Sequence, residues 1–180
     1  MRILSENTLA VAIDYQSKIV PAMHGIDELI HNSSILLKGL GVLEIPILVT
    51  RQYPKGLGDT IPEIATLTEN CPVYDKIAFS CWDSEDFREA VKASGRDTIL
   101  ICGIEAHVCV LQTAIDLIAT GYHVVLVEDC ITSRKPSDKI SALKRAEKEG
   151  AIITTCESIL FELTRVSGTP TFKEISRLVK

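Results

Sequence analysis

The sequence predicts an α/β fold built on a mainly parallel sheet with helices on both faces, and two patterns carry that expectation. Short runs of apolar, often β-branched residues recur along the chain, as strands buried on both faces require. Between them lie segments whose apolar positions fall on one helical face, long enough for crossover connections. The chain has 180 residues, 46% of them apolar, enough to bury one core without disulfides or metal. No internal repeat, low-complexity tract or Pro/Gly/Ser linker divides it, so residues 1–180 read as a single domain.

Thr8 to Ile13 (TLAVAI) is the first strand. Ile26, Leu29, Ile30, Leu36, Leu37 and Leu40 then mark one face of a helix over 26–43, weakened near its end by Gly41. Pro46 opens ILVT, the second strand, and the Gly and Pro content of RQYPKGLGDTIPE reads as a loop. Val73 to Phe79 holds a short third strand, and Asp83 precedes EDFREAVKAS, an acidic first turn suited to a helix start. TILIC (98–102) is a fourth strand, 108–120 a helix ending at Gly121, and HVVLV (123–127) a fifth strand. A charged amphipathic helix over 137–149 is closed by Gly150, AIITT (151–155) is a sixth strand, and two short helices finish the chain.

Composition removes several functional classes. A net charge of −5 offers no cationic footprint for a polyanion, so nucleic acid is not an expected partner. There is no apolar leader segment and no apolar run of spanning length, so neither secretion nor a membrane is expected, and the reading is cytoplasmic. The six cysteines, at 71, 81, 102, 109, 130 and 156, include no C-x-x-C pair. In a reducing compartment they remain thiols, most of them packing as small buried hydrophobes. His107 and Cys109, with Cys102 nearby, do not make a recognised zinc pattern, so no metal and no cofactor is expected. The charged stretch Lys139 to Glu149 reads as the solvated face of a helix.

In open parallel sheets the ligand site lies beyond the carboxyl ends of the strands. Asp14 ends the first strand, Lys76 lies in or just after the third, and Glu105 to Cys109 follow the fourth. Near a helix start, backbone amides and the helix dipole favour a thiolate, which makes Cys109 a candidate nucleophile. A neighbouring Lys76 is expected to lower the thiol pKa further, while Asp14 takes the thiol proton and later delivers it to a leaving amine. A tetrahedral intermediate also needs an oxyanion hole, for which amides in a tight turn before a helix are a natural source.

The segments D14-Y-Q16, D75-K76 and G103-I-E-A-H-V-C109-V-L-Q-T-A resemble the signature segments of isochorismatase-like cysteine hydrolases, and the resemblance runs nearly end to end. The relatives include nicotinamidases and carbamoylsarcosine amidases. The resemblance implies a three-layer α/β/α sandwich with a six-stranded, Rossmann-like sheet and the triad Asp14, Lys76 and Cys109. It further implies a cis peptide between Ile104 and Glu105, an oxyanion hole from the backbone N–H groups of Glu105 and Cys109, and a homo-oligomer. Nicotinamidase-like members carry a D-x-H plus His metal site after the second strand. Here that loop starts Arg51, Gln52, Tyr53, and no histidine occurs between His31 and His107, which puts nicotinamidase activity in doubt. Isochorismatases proper typically lack the cysteine, so its presence points to carbon–nitrogen bond hydrolysis.

Each residue alone has an ordinary structural reading: Asp14 as a strand-end cap, Lys76 as a surface cation, Cys109 as a packing thiol. Gln16, Tyr53 and His107 are substrate-pocket candidates by position, with structural hydrogen bonding an equal alternative. Trp82 is a candidate pocket wall or an oligomer contact. Cys81 beside it is a minor candidate for a second reactive or redox-sensitive thiol. The expectation is therefore a metal-independent cysteine hydrolase acting on a small amide, imide or related acyl compound, a non-peptide carbon–nitrogen substrate, through a Cys109 thioester. The alternative from another class is a non-catalytic small-molecule-binding or scaffold protein that keeps the fold. A ribonuclease is the weakest reading, given the acidic composition.

Overall fold

The computed structural model describes residues 1–180. Six parallel strands form one sheet: β1 (Thr8–Ile13), β2 (Ile47–Gln52), β3 (Val73–Lys76), β4 (Thr98–Ile104), β5 (His123–Thr132) and β6 (Ile152–Thr154), in the order β3-β2-β1-β4-β5-β6. Eight helices accompany them: α1 (Ile26–Val42), the short α2 (Pro54–Leu57) and α3 (Pro62–Ala65), α4 (Glu85–Ala93), α5 (Leu111–Ala119), α6 (Pro136–Glu149), α7 (Cys156–Thr164) and α8 (Pro170–Leu178).

The side-chain alternation of β1 divides the interior in two. Ala10 and Ala12 join one cluster with Leu36, Leu37 and Leu40 of α1, Ile159 and Leu160 of α7, and Ile175 of α8. Leu9, Val11 and Ile13 join the other with Phe87 and Val91 of α4, Ala114 and Leu117 of α5, and Ala142 and Ala146 of α6. All six β1 residues are buried, which is why the strand reads as continuously apolar rather than alternating. The result is a three-layer α/β/α sandwich.

Several boundaries differ from the sequence expectation, among them β2, which runs past ILVT to Gln52. β3 stops at Lys76 rather than Phe79, because the Ala78 and Phe79 carbonyls turn back to face the Lys76 Nζ. β4 runs on to Ile104 and β5 to Thr132, with a register shift between them where Ile101 pairs Leu126 but Gly103 pairs Ile131. The helix expected from Val108 begins instead as a wide, π-type turn over Ala106–Val110 and becomes α-helical at Leu111. The segment between β2 and β3 is not plain loop, since prolines at the first positions of α2 and α3 start two short helical turns.

Candidate active site

Register brings three strand ends together. Ile13 of β1 pairs both Thr50 of β2 and Gly103 of β4, and Gln52 pairs Lys76 of β3. Asp14 therefore leaves the sheet between β2 and β4, with its backbone in the left-handed region at φ 55° and its N–H donated to the Thr50 carbonyl at 3.2 Å. The approach of β4 to β1 is close enough that a Cβ on Gly103, at φ 125°, would sit 2.1 Å from the Ile13 carbonyl oxygen.

The Asp14 carboxylate is divided between two partners. Oδ1 accepts the Thr50 hydroxyl at 2.8 Å and Oδ2 accepts the Lys76 ammonium at 2.8 Å. Lys76 Nζ also donates to Gln52 Oε1 at 2.7 Å and to the Phe79 carbonyl at 3.1 Å, with the Ala78 carbonyl at 3.4 Å. Burial by itself would push Lys76 down, but the Asp14 charge beside it prevails and carries the ammonium above the ordinary lysine value. Both charges are buried, and each is hydrogen-bonded, as a buried ion pair requires.

Cys109 lies in the turn after β4, with its Sγ 4.0 Å from Gln52 Oε1. The sequence-based expectation of an acidic thiol is corrected here. Burial pushes the Cys109 thiol well up, the Asp14 carboxylate adds to the rise, and the opposing pull of Lys76 does not overcome them. At rest the sulfur keeps its proton, beside a carboxylate able to accept it. The peptide bond between Ile104 and Glu105 is cis, and the Glu105 N–H has no acceptor within the chain. The Glu105 carboxylate points elsewhere, accepting both the N–H and Nε of Arg134 at 3.1 Å.

Asp14, Gln52, Glu105 and Cys109 line one small cavity of about 90 Å³, completed by Ile19, Leu57, Phe79, Ile104 and Val108. Its walls are mainly apolar, and its volume matches a group of a few heavy atoms, a water taking about 30 Å³ of liquid. The larger groove of about 390 Å³, lined by residues including His24, Glu28, Glu128 and Lys139, contains none of Asp14, Lys76 or Cys109.

Of the four substrate-pocket candidates, none lines this cavity within one chain. Gln16 is fully buried and structural: its Nε2 donates to the Gln52 and Gly58 carbonyls at 3.0 and 2.7 Å, and its Oε1 accepts the Gln52 N–H at 2.7 Å. Tyr53 points outward and is 51% exposed. Trp82 packs edge-on against Tyr122, under Lys92. His107 turns away, with its Nδ1 3.0 Å from the Ser133 hydroxyl and its Nε2 3.9 Å from Asp138. Gln52 is the residue the sequence did not reveal. Arg51 pairs bidentately with Asp75 and also meets Asp59, and no group of three or more His, Cys, Asp or Glu side chains converges to hold a metal ion.

Comparisons with known proteins match this fold over nearly the whole chain. A model of the isochorismatase domain matches residues 8–158. The chain is 36% identical, over 99% of its length and 87% of the relative's, to the secreted isochorismatase effector Isc1 of Phytophthora sojae (strain P6497). The structure of the MAR1 ribonuclease from Caenorhabditis elegans superposes with a TM-score of 0.93 at 38% identity, covering 99% of this chain and 92% of that one. The Escherichia coli YcaC gene product, described as an octameric hydrolase of unknown specificity, superposes with a TM-score of 0.84 at 26% identity, covering 92% and 83%.

Proposed function

The chain belongs to the isochorismatase family, a hydrolase superfamily, and from that premise we propose that it cleaves a small amide, imide or related acyl compound with Cys109 as nucleophile. The observation that carries the reading is the convergence, at one cavity, of a thiol, a carboxylate paired with a buried ammonium, and an unsatisfied backbone N–H.

The step follows from the charges. Asp14 accepts the Cys109 proton as Sγ attacks the acyl carbon, so the sulfur becomes anionic only when it forms a bond. The developing oxyanion takes the N–H of Glu105, with that of Cys109 as second donor. Collapse breaks the carbon–nitrogen bond, and Asp14 returns the proton to the departing amine. Water then attacks the thioester, with Asp14 again accepting a proton. Lys76 holds the Asp14 carboxylate in place through its 2.8 Å contact with Oδ2. The mainly apolar, 90 Å³ cavity favours a compact, uncharged acyl group, and the chain's own donors and acceptors suffice for every proton transfer.

The C. elegans relative described as a ribonuclease motivates a second reading, but a net charge of −5 and a cavity of this size argue against a nucleotide in the same place. A binding protein with the same fold is the other reading. We further propose that the chain assembles with copies of itself, supported by the octameric E. coli relative. No helix is long and apolar enough to cross a membrane.

The test is a screen of small amides and imides with wild type, Cys109→Ala and Asp14→Asn, with RNA as a parallel substrate. Hydrolysis lost in Cys109→Ala and lowered about 10²- to 10⁴-fold in Asp14→Asn supports the proposal. Hydrolysis unchanged in Cys109→Ala, or ligand binding with no turnover of any amide, overturns it.

A further inference from the structure

Three buried thiols lie away from the Cys109 site. Cys102, Cys130 and Cys156 belong to the core cluster on the α1, α7 and α8 face, whereas Cys81 and Cys109 belong to the opposite one. Cys130 sits near the end of β5, and Cys156 is the first residue of α7. Asp129 draws them together: its Oδ1 accepts the Cys156 N–H at 2.8 Å and lies 3.9 Å from the Cys130 Sγ. The Cys156 Sγ donates to the Asn32 carbonyl at 3.5 Å, and the Asn32 side chain in turn donates to the Asp129 carbonyl at 3.3 Å, so both thiols sit against the Asp129 residue. Cys102 is turned aside, with its Sγ 3.7 Å from the Val11 carbonyl.

Access to the pair is one-sided. A cavity of about 170 Å³ reaches Cys156 between Asn32, Ile35 and Asp129, but Cys130 is not among its walls. A hydrogen peroxide molecule, little larger than a water of about 30 Å³, fits there. All six cysteines are free thiols in this structure.

We propose that Cys130 and Cys156 are a modification site, a pair of neighbouring buried thiols that peroxide entering beside Cys156 converts to a disulfide. The Cys156 sulfur attacks the peroxide O–O bond and becomes a sulfenic acid, and the leaving hydroxide takes the thiol proton and departs as water. The Cys130 sulfur then attacks the sulfenic sulfur, forming the S–S bond and expelling hydroxide, which leaves with the Cys130 proton as a second water. Two thiols lose two electrons and two protons, and one peroxide is reduced to two waters. The order of the steps follows from access, since the cavity reaches Cys156 and not Cys130.

The experiment exposes the reduced full chain to hydrogen peroxide, alkylates the remaining thiols under denaturing conditions, and maps disulfides without reduction. Cys102, Cys109 and Cys130 share the tryptic stretch from Asp97 to Arg134, so cleavage after Glu105 and Glu128 is needed to separate them. The expected product is a Cys130–Cys156 cross-linked peptide with two of the six thiols lost. In Cys130→Ser the cross-link disappears and a 1,3-diketone probe traps Cys156 as the sulfenic acid. A disulfide joining Cys156 to another cysteine, or full recovery of the Cys130 and Cys156 thiols while Cys109 is oxidised, overturns the proposal. The wild-type map decides this even if the variant does not fold.

Discussion

The Lys76 ammonium lies 2.8 Å from the Asp14 carboxylate with both side chains almost wholly buried, 1% and 3% exposed. A pair placed so deeply gains little over an apolar replacement, yet losing one partner is costly because the other charge is stranded. Lys76→Met is therefore expected to lower stability by about 3–5 kcal/mol, measured by denaturant unfolding. The double variant Asp14→Asn, Lys76→Met should lose less than the sum of the single changes. Additive losses would mean that the two charges do not depend on each other.

Gly103→Ala is expected to be severe although it adds only a methyl group. The added Cβ meets the Ile13 carbonyl at 2.1 Å, and the backbone at φ 125° disfavours any side chain. Overpacking and conformational strain together predict a loss of about 3 kcal/mol or more. A melting temperature within a few degrees of wild type would contradict the β1–β4 approach.

Stability should fall in alkali. Burial pushes the Cys81 thiol up to about 11 and the Cys102 thiol up to about 12, against an ordinary value of 9.0. The unfolded chain releases these protons near pH 9 while the folded chain keeps them, so the stabilisation is complete below pH 9 and is lost as pH rises towards 11 and 12. Lys76, also raised, loses its contribution above its ordinary value of 10.5. Thermal unfolding across pH 7 to 11 checks this, and a flat profile above pH 9 would contradict it.

The sheet was legible because strands buried on both faces must be apolar at every position, as TLAVAI is. The strand ends followed from the same runs, which is how Asp14 and Cys109 stood out. Gln52 did not, because its role comes from its register opposite Lys76, and register is a property of two strands rather than one. The elevated Cys109 thiol was missed for a related reason: proximity to a helix start can be read from sequence, but desolvation by Ile104, Val108 and Phe79 cannot. Trp82 and His107 lie near the site in sequence, but Tyr122 and Ser133, from other parts of the chain, hold them away from it.

The central claim is that Asp14 holds Cys109 as a thiol until attack and then takes its proton. The most direct measurement is the alkylation rate of Cys109 by iodoacetamide across pH, resolved by peptide mass spectrometry, in wild type and Asp14→Asn. Simple alkylation needs the thiolate, so wild type should react slowly near neutrality and keep accelerating above pH 9. Asp14→Asn removes the charge that opposes ionisation and leaves Lys76, so its Cys109 should alkylate faster at neutral pH even as amide turnover falls. A wild-type rate that already levels off below pH 8, where even an ordinary thiol of pKa about 8.5 is mostly protonated, or no acceleration in Asp14→Asn, would contradict the account.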